Sequence, residues 1–320
     1  MRHLIAAVLL AVAFATVKSS AGVNADEPPA WAYPVNPPGA QPPRDDGSPR
    51  HLPGSPAAFT KTELSNLFGV PDWYPDDHPP MPEVVAHGQR PDVLACGFCH
   101  LPNGLGRPEN AGIAGLPAEY IARQLAAFRT DARHSALMRF PLALMVQTAK
   151  AADEPEVERA AAYFAALKPR SWIKVVETET VPKTRVLGWM LVPDGTGVSE
   201  PIGSRIIEIP EDVARTELRD SRSGFIAYVP PGSVAKGEAL ATTGDGKTTA
   251  CGICHGRDLR GIGPVPPIAG RSPSYLFRQL YDFQHGFRAG SWAALMQPVV
   301  ARLSEDDLVA LAAYAASRDP

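Results

Sequence analysis

Two short strings, Cys96–His100 and Cys251–His255, carry the clearest chemistry in this 320-residue chain. Each has two cysteines three positions apart, followed at once by a histidine. This pattern is typical of c-type haem attachment, in which each thiol bonds one haem vinyl group and the histidine ligates the iron. We therefore predict two covalently attached haem c groups with iron. The residues that would attach and ligate them are Cys96, Cys99, His100, Cys251, Cys254 and His255.

The four cysteines could serve two purposes other than haem attachment. Four cysteines in an exported protein would ordinarily suggest two disulfides. Alternatively, the two Cys-x-x-Cys pairs could together bind zinc. A disulfide framework does not need a histidine after each pair, and the pairs lie about 150 residues apart. The strings use every cysteine in the chain, so the haem interpretation leaves none over.

The residues around the strings repeat, which predicts two copies of one unit. Ile113–Gly115 matches Ile268–Gly270, and both end 15 residues after their histidine. Tyr120–Leu125 matches Tyr275–Leu280, with apolar residues at helical spacing in both. We call 78–168 the first repeat and 233–320 the second repeat, and expect each to be a small helical bundle around a haem. Possible capping boxes begin the last helix of each: Asp153 with Glu156, and Ser304 with Asp307.

Three further segments lie outside the repeats. A charged start, an apolar core and small residues mark 1–25 as a secretory signal peptide, so we expect a periplasmic protein. Residues 26–77 form a proline-rich extension, whose first part favours extended structure over a core. The segment 169–232 has several β-rich runs separated by Pro and Gly, which predicts a small β module. The formal net charge of −3 argues against nucleic acid as a partner.

Each haem iron needs a second axial ligand, and a methionine thioether suits electron transfer. The second repeat has one methionine after its string, Met296. The first repeat has Met138 and Met145, and Met145 is preferred because its distance to Tyr163 equals that from Met296 to Tyr314. Met138 is the reserve. His134 and His285 are alternatives for a bis-histidine haem, but they do not align with each other.

Other polar groups are predicted around each haem. Arg133 and Arg288 occupy matching positions before the methionine, and a planar guanidinium pairs well with a haem propionate. A proximal histidine usually donates its second ring N–H to a backbone carbonyl. The carbonyl of Pro267 is a candidate in the second repeat, and Gly112 takes its place in the first.

Taken together, these motifs resemble the class I cytochromes c, and specifically the two-domain dihaem type known as c-four. The resemblance covers about 180 residues. It implies a mainly α fold of two tandem cytochrome c domains, here with a β-rich inter-domain segment and a proline-rich N-terminal extension. It also implies a periplasmic electron carrier with His/Met ligation at both irons, at most peripherally attached to a membrane. The expected partners are redox proteins: a dehydrogenase, a quinol-oxidising complex or a terminal oxidase. The competing hypothesis is a dihaem oxidoreductase, either peroxidase-like or a dehydrogenase cytochrome subunit with its own activity.

Overall fold

The computed structural model describes residues 27–40 and 44–320. The predicted signal peptide, 1–25, lies outside the described residues. The described chain is mainly helical with a smaller amount of sheet, as the sequence predicts. None of the helices in 27–40 and 44–320 is long and apolar enough to cross a bilayer.

Six α-helices precede the strands in the part of the chain that the structure describes. The first belongs to the extension, and the other five lie in the first repeat. They are α1 (Lys61–Leu64), α2 (Glu83–Ala86), α3 (Cys96–His100), α4 (Ala118–Arg129), α5 (Phe140–Ala151) and α6 (Glu154–Ala166). The capping box predicted at the start of α6 is confirmed: Asp153 accepts from the Glu156 N–H at 2.8 Å, and Glu156 accepts from the Asp153 N–H at 2.9 Å. Helix α6 packs against α4, which forms the core of this repeat.

The strands of the described chain all lie between residues 173 and 229. They are β1 (Ile173–Glu177), β2 (Thr180–Pro182), β3 (Thr184–Leu187), β4 (Met190–Pro193), β5 (Ser199–Pro201), β6 (Ile207–Pro210) and β7 (Phe225–Val229), with α7 (Val213–Glu217) between the last two. Strand β7 pairs in parallel with β1 and antiparallel with β6. The other four strands form two antiparallel pairs, β2 with β5 and β3 with β4.

The second repeat contains the remaining helices. They are α8 (Ser233–Thr243), α9 (Gly252–His255), α10 (Pro273–Gln284), α11 (Ala293–Val300) and α12 (Glu305–Ser317). Its predicted capping box is also confirmed, between Ser304 and Asp307 at the start of α12. Helix α8 crosses α12 closely at Gly237, where a side chain would clash with the backbone of Ala310. The corresponding helix of the first repeat, α2, has only one turn.

The N-terminal extension contributes to the core, contrary to the expectation for its first part. Ala32 and Tyr33 are 0% and 2% exposed and pack in the core of the second repeat. The Trp31 ring lies 4.5 Å from that of Phe277 on α10. Further along, Trp73 is buried and donates its indole N–H to the Leu218 carbonyl at 2.7 Å. The prolines do exclude long regular elements, but the aromatic residues between them bury enough apolar surface to anchor the segment.

Candidate haem site

Both cysteine–histidine strings form single helical turns. The first is α3, and the second is α9 together with its N-cap Cys251. Residues three apart share a face of a helix, so both thiols of a string point to the same side. The backbone around the two strings also matches: the His100 carbonyl accepts from the Gly106 N–H at 2.9 Å, and the His255 carbonyl accepts from the Gly261 N–H at 2.7 Å. The repeat seen in the sequence is therefore also a repeat of local geometry.

The imidazoles of both strings are held in the same way. Nδ1 of His100 lies 2.8 Å from the Ala111 carbonyl oxygen, and Nδ1 of His255 lies 2.8 Å from the Pro266 carbonyl oxygen. A carbonyl only accepts, so Nδ1 carries the proton and Nε2 keeps its lone pair available for a metal. Burial lowers the pKa of both imidazoles, which favours this neutral form.

The expectation that Pro267 and Gly112 supply these carbonyls is wrong by one residue. In each repeat the acceptor lies 11 residues after the histidine rather than 12. The Gly112 carbonyl has a different partner, since it accepts from Nη1 of Arg271 at 3.0 Å. The turn after each string sets which carbonyl faces the ring, and spacing alone does not define that turn.

The four cysteines are not paired with one another. Burial raises the pKa of Cys96 to about 12 and that of Cys251 to about 11. A thiol with such a pKa is protonated at neutral pH, which disfavours thiolate binding to zinc. Across 27–40 and 44–320, no three His, Cys, Asp or Glu side chains come together as a metal site.

One cavity of about 430 Å³ brings the two repeats together. Its walls include residues from both strings and both preferred methionines: Cys96, Cys99, His100, Met145, Cys251, Cys254, His255 and Met296. Met145 lies on α5 and Met296 on α11. The reserve candidate, Met138, is 55% exposed and does not line the cavity. The geometry therefore supports the register that selects Met145.

The two alternative histidines are placed differently. His134 lines the cavity, and its ring packs edge-on against Phe287 at 5.5 Å. His285 does not line the cavity; its Nδ1 bonds the Tyr281 carbonyl at 2.9 Å and its ring stacks on Tyr281 at 3.9 Å. The two histidines are thus not equivalent in space, as they are not in sequence.

Arg133 reaches from the first repeat into the second. It is 8% exposed and donates to Gln124 of its own repeat at 2.8 Å. It also donates to the Tyr275 hydroxyl at 3.0 Å and to Gln279 at 2.9 Å, both on α10. These contacts place a buried cation where the two halves of the cavity meet.

Arg288 makes the reciprocal contacts. It is 7% exposed and donates to Gln279 of its own repeat at 3.1 Å, and to Gln124 at 2.8 Å and Tyr120 at 3.4 Å in the first. The backbone segments around Arg133 and Arg288 pair as a short antiparallel bridge. We call these two arginines, two glutamines and two tyrosines the crossed cluster. Its members are Gln124, Arg133, Tyr120, Gln279, Arg288 and Tyr275.

The crossed cluster contains two buried positive charges, and none of the bonds found for them in the described chain is to a carboxylate. Burial, together with the nearby guanidinium of Arg133, lowers the pKa of Arg288. Buried charges are costly unless an opposite charge compensates them. The cluster is therefore suited to bind anionic groups that enter the cavity.

Sequence reasoning missed three other buried arginines on this cavity. Arg271 donates to the Gly112 and Ala114 carbonyls of the first repeat at 3.0 and 2.8 Å. Arg278 donates to carbonyls of Ala32 and Pro108. Arg139 is 7% exposed, and burial lowers its pKa to about 9. The repeat register could not find Arg271, because Leu116 occupies its position in the first repeat.

The two strings are covered to very different extents. Phe98, within the first string, is 6% exposed and lies under the guanidinium of Arg219 at 3.5 Å. Arg219 follows α7 in the segment 169–232, which we call the middle segment. It also donates to the Phe98 carbonyl at 2.9 Å. In the second string, Ile253 is 70% exposed and Cys254 is exposed. The middle segment thus closes over one string and leaves the other open.

Several curated proteins are similar to the chain, although no protein-family model matches it. A thiosulfate dehydrogenase electron acceptor from Thiomonas intermedia is 27% identical over 235 residues, which cover 71% of this chain and 80% of that protein. A cytochrome c4 from Stutzerimonas stutzeri is 30% identical over 135 residues, covering 37% of this chain and 63% of that protein. Cytochrome c-554(548) from Halomonas halodenitrificans is 38% identical over 80 residues, covering 25% of this chain and 96% of that protein.

The chain belongs to the dihaem class I cytochromes c. Electron transfer is the function class of this cytochrome, and two covalently bound haem c groups with iron are its cofactors. Among solved structures, it is similar to a thiosulfate dehydrogenase (TsdBA) from Marichromatium purpuratum, with a TM-score of 0.47 and 28% identity. That match covers 71% of this chain and 37% of the other. Reduced cytochrome c4 from Pseudomonas stutzeri gives a TM-score of 0.46 with 21% identity, covering 70% of this chain and 93% of that chain.

The donor set of this cytochrome fits haem c. Each string contributes two cysteines and a histidine to the cavity lining, with Nδ1 of the imidazole bonded to a carbonyl, and each repeat adds one methionine to the same lining. The crossed cluster supplies buried cations for carboxylates, and haem carries two propionates. Most of the other lining residues are apolar, which suits a porphyrin face.

Proposed function

We propose that this cytochrome is a periplasmic electron carrier whose two haems are bound by the residues predicted from the sequence. In each repeat, the cysteines of the string form the thioethers, the histidine is the proximal ligand and the methionine is the distal ligand. The full set is Cys96, Cys99, His100 and Met145 for haem 1, and Cys251, Cys254, His255 and Met296 for haem 2. Arg133 and Arg288 are proposed as partners of the propionates.

The single observation that supports this proposal most strongly is the shared cavity. Two strings 155 positions apart and two methionines on different helices all line it. A packing role for the methionines would not require either of them to line the same cavity as a histidine of its own repeat. Their common placement is what a pair of His/Met sites would need.

The chain contributes orientation, charge and exclusion of water. When bound, haem c supplies an iron that alternates between the ferrous and ferric states and so accepts or donates one electron. The carbonyls of Ala111 and Pro266 fix the plane of each proximal imidazole. The crossed cluster would supply positive charge to the haem propionates, and its side chains belong to both repeats. Because a histidine and a methionine of the chain would ligate each iron, we infer that no substrate is transformed there.

We further propose that the two repeats, 78–168 and 233–320, are tandem cytochrome c domains. The matching backbone contacts after each string support this division. The segment 169–232 is proposed to be a cover for the first domain, since Arg219 lies over Phe98. The extension within 26–77 is proposed to brace the second domain through Tyr33, which bonds Asp282, and the segment 169–232 through Trp73, which bonds Leu218.

A dehydrogenase is the proposed electron donor. The names of two similar proteins, from Thiomonas intermedia and Stutzerimonas stutzeri, state that they accept electrons from thiosulfate dehydrogenase. A quinol-oxidising complex or a terminal oxidase is the alternative kind of partner. The exposed edge of the second string, at Ile253 and Cys254, suggests that electrons enter or leave at haem 2.

Mass spectrometry of haem-bearing peptides tests the attachment sites. We expect two haem peptides in a tryptic digest, one with Cys96 and Cys99 and one with Cys251 and Cys254. Replacing both cysteines of one string by serine should remove one haem and leave the other. A protein that carries a single haem, or none, would contradict the proposal.

Stopped-flow reduction tests the partner. The oxidised cytochrome is mixed with a purified thiosulfate dehydrogenase and thiosulfate, and haem reduction is followed in the visible spectrum. Rapid reduction that requires both dehydrogenase and thiosulfate supports the acceptor role. Turnover of thiosulfate by the cytochrome alone would instead favour the oxidoreductase hypothesis.

A further inference from the structure

Arg271 of the second repeat makes its hydrogen bonds in the first repeat. It is 6% exposed, lies just before the N-cap of α10, and donates to the Gly112 carbonyl at 3.0 Å and the Ala114 carbonyl at 2.8 Å. A guanidinium has a planar fork of donors, so it can hold two carbonyls of one loop in fixed relative positions. The contact therefore ties the loop 112–114 to the other half of the molecule.

This loop adjoins the carbonyl that holds the first imidazole. Ala111, whose carbonyl accepts from Nδ1 of His100, directly precedes Gly112. On the other side of the loop, the N–H groups of Ile113 and Ala114 both donate to the Gly104 carbonyl, at 2.7 and 2.9 Å. Arg271 thus donates to two carbonyls of this segment, while Gly104 accepts from two of its N–H groups. The loop is therefore hydrogen-bonded on both sides.

The second repeat fixes the equivalent carbonyl without any arginine. There the acceptor is Pro266, followed by Pro267, and each proline ring restricts its own φ. The first repeat has Ala111 and Gly112 at these positions, and glycine is the least restricted residue. The residue equivalent to Arg271 in the first repeat is Leu116, so the contact is not reciprocated. The loop whose residues restrict the backbone less is therefore the one that Arg271 contacts.

Burying the Arg271 guanidinium in this contact has an electrostatic cost. Burial lowers the pKa of Arg271 to about 10, and its Nε has no hydrogen-bond partner. A leucine at this position, as in the first repeat, would avoid that cost. The cost is consistent with a role that only a forked donor can fill.

We propose that Arg271 is a positioning residue through which the second repeat orients the proximal imidazole of haem 1. This inference rests on the proposed function, because it requires His100 to be the proximal ligand. It concerns haem 1 alone, although Arg271 belongs to the repeat that binds haem 2.

Hydrogen exchange at the two imidazoles tests the proposal. The full-length ferrous protein, with both haems attached and its histidines labelled with ¹⁵N, is used to measure exchange of Nδ1–H for His100 and His255. Arg271→Lys keeps the charge but loses the fork, and Arg271→Gln removes both. We expect exchange at His100 to be about tenfold faster in Arg271→Gln, the change that loss of a charged hydrogen bond would cause, with a smaller increase in Arg271→Lys. Exchange at His255 should stay within about twofold of the wild type.

The controls separate this role from a structural one. Arg257→Gln changes an exposed arginine of the second repeat and should alter neither rate. Equal acceleration at His100 and His255 would show that Arg271 only stabilises the contact between the repeats, and unchanged exchange at His100 would also overturn the proposal. In the wild type, a His100 ring without haem-shifted resonances would refute its role as ligand, which is a failure of the proposed function and not of the Arg271 contact.

Discussion

Replacing the glycine that follows the first cysteine of each string by alanine should affect stability differently in the two repeats. Gly97 and Gly252 occupy this position, and neither has a positive φ. A Cβ at Gly97 would lie 3.0 Å from Cγ2 of Val70 and 3.1 Å from the Val85 carbonyl oxygen. A Cβ at Gly252 would meet nothing nearer than the Arg257 Cα, at 3.5 Å. We therefore expect Gly97→Ala to destabilise the protein and Gly252→Ala to be tolerated.

The magnitude follows from the difference between the two sites. Contacts near 3.0 Å force a shift of a few tenths of an ångström, and overpacking of a core costs about 1–3 kcal/mol. Alanine also gains up to about 1 kcal/mol over glycine in a helix, but this gain applies to both variants and cancels in the comparison. The free energy of unfolding should therefore be lower for Gly97→Ala than for Gly252→Ala by about 1–3 kcal/mol.

Thermal unfolding of the holoprotein, followed in the Soret band, measures this difference. For a chain of this size each 1 kcal/mol corresponds to about 2–4 °C in Tm, so the variants should differ by several degrees. Haem content is measured in parallel, and we expect two haems per chain in both variants. Equal Tm values would refute the reasoning that the first string is packed tightly beneath α2 and the segment before it.

Four other substitutions test separate parts of the proposed structure and function. Met145→Ala should abolish the thioether-to-ferric charge-transfer band of haem 1, whereas Met138→Ala should leave the spectrum unchanged; the reverse result would reassign the ligand. Arg133→Leu should lower the potentials of both haems by tens of millivolts, at about 40 mV per kcal/mol for one electron, and a shift at one haem alone would contradict the crossed cluster. The hydrogen bond with Asp72, at 3.2 Å, raises the pKa of His78. Its stabilisation should be complete below about pH 6.5 and lost as pH rises through the raised pKa, so the Tm advantage of wild type over His78→Gln should be present at pH 5 and absent at pH 9.

The two strings and the alignment of Met145 with Met296 can be read from the sequence because the chain contains two copies of one unit. Met145 and Met296 stand out only when two copies are aligned, and the structure places both on the cavity wall while Met138 is exposed. The capping boxes at Asp153 and Ser304 were also predictable, since they depend on residues three apart. Local spacing and internal repetition can both be detected in one sequence without comparison with homologues.

Contacts between the repeats were not predictable in this way. The sequence predicts Arg133 and Arg288 as partners of the haem propionates. It does not predict that each donates to a tyrosine of the other repeat and to glutamines of both repeats. Arg271 has no counterpart to mark it, because its equivalent is Leu116. Such partners depend on how the two halves pack, and no periodicity in the sequence encodes that arrangement.

The composition of the N-terminal extension likewise does not predict its contacts with distant parts of the chain. Its prolines predict an irregular backbone, and the structure agrees for most of its length. They do not reveal that Tyr33 is buried and donates to Asp282 at 3.1 Å, or that Trp73 reaches Leu218. Single aromatic residues in a proline-rich segment can anchor it, and their partners are far away in the chain.

Carbon monoxide binding to the reduced protein tests the central claim most directly. Both irons are proposed to be six-coordinate, with Met145 and Met296 as distal ligands, so neither has an open position. We expect that the Soret band of the fully reduced protein at neutral pH does not shift when carbon monoxide is added. A rapid, saturable shift that corresponds to one haem would show an open iron site, contradict the electron-carrier account and favour a dihaem oxidoreductase.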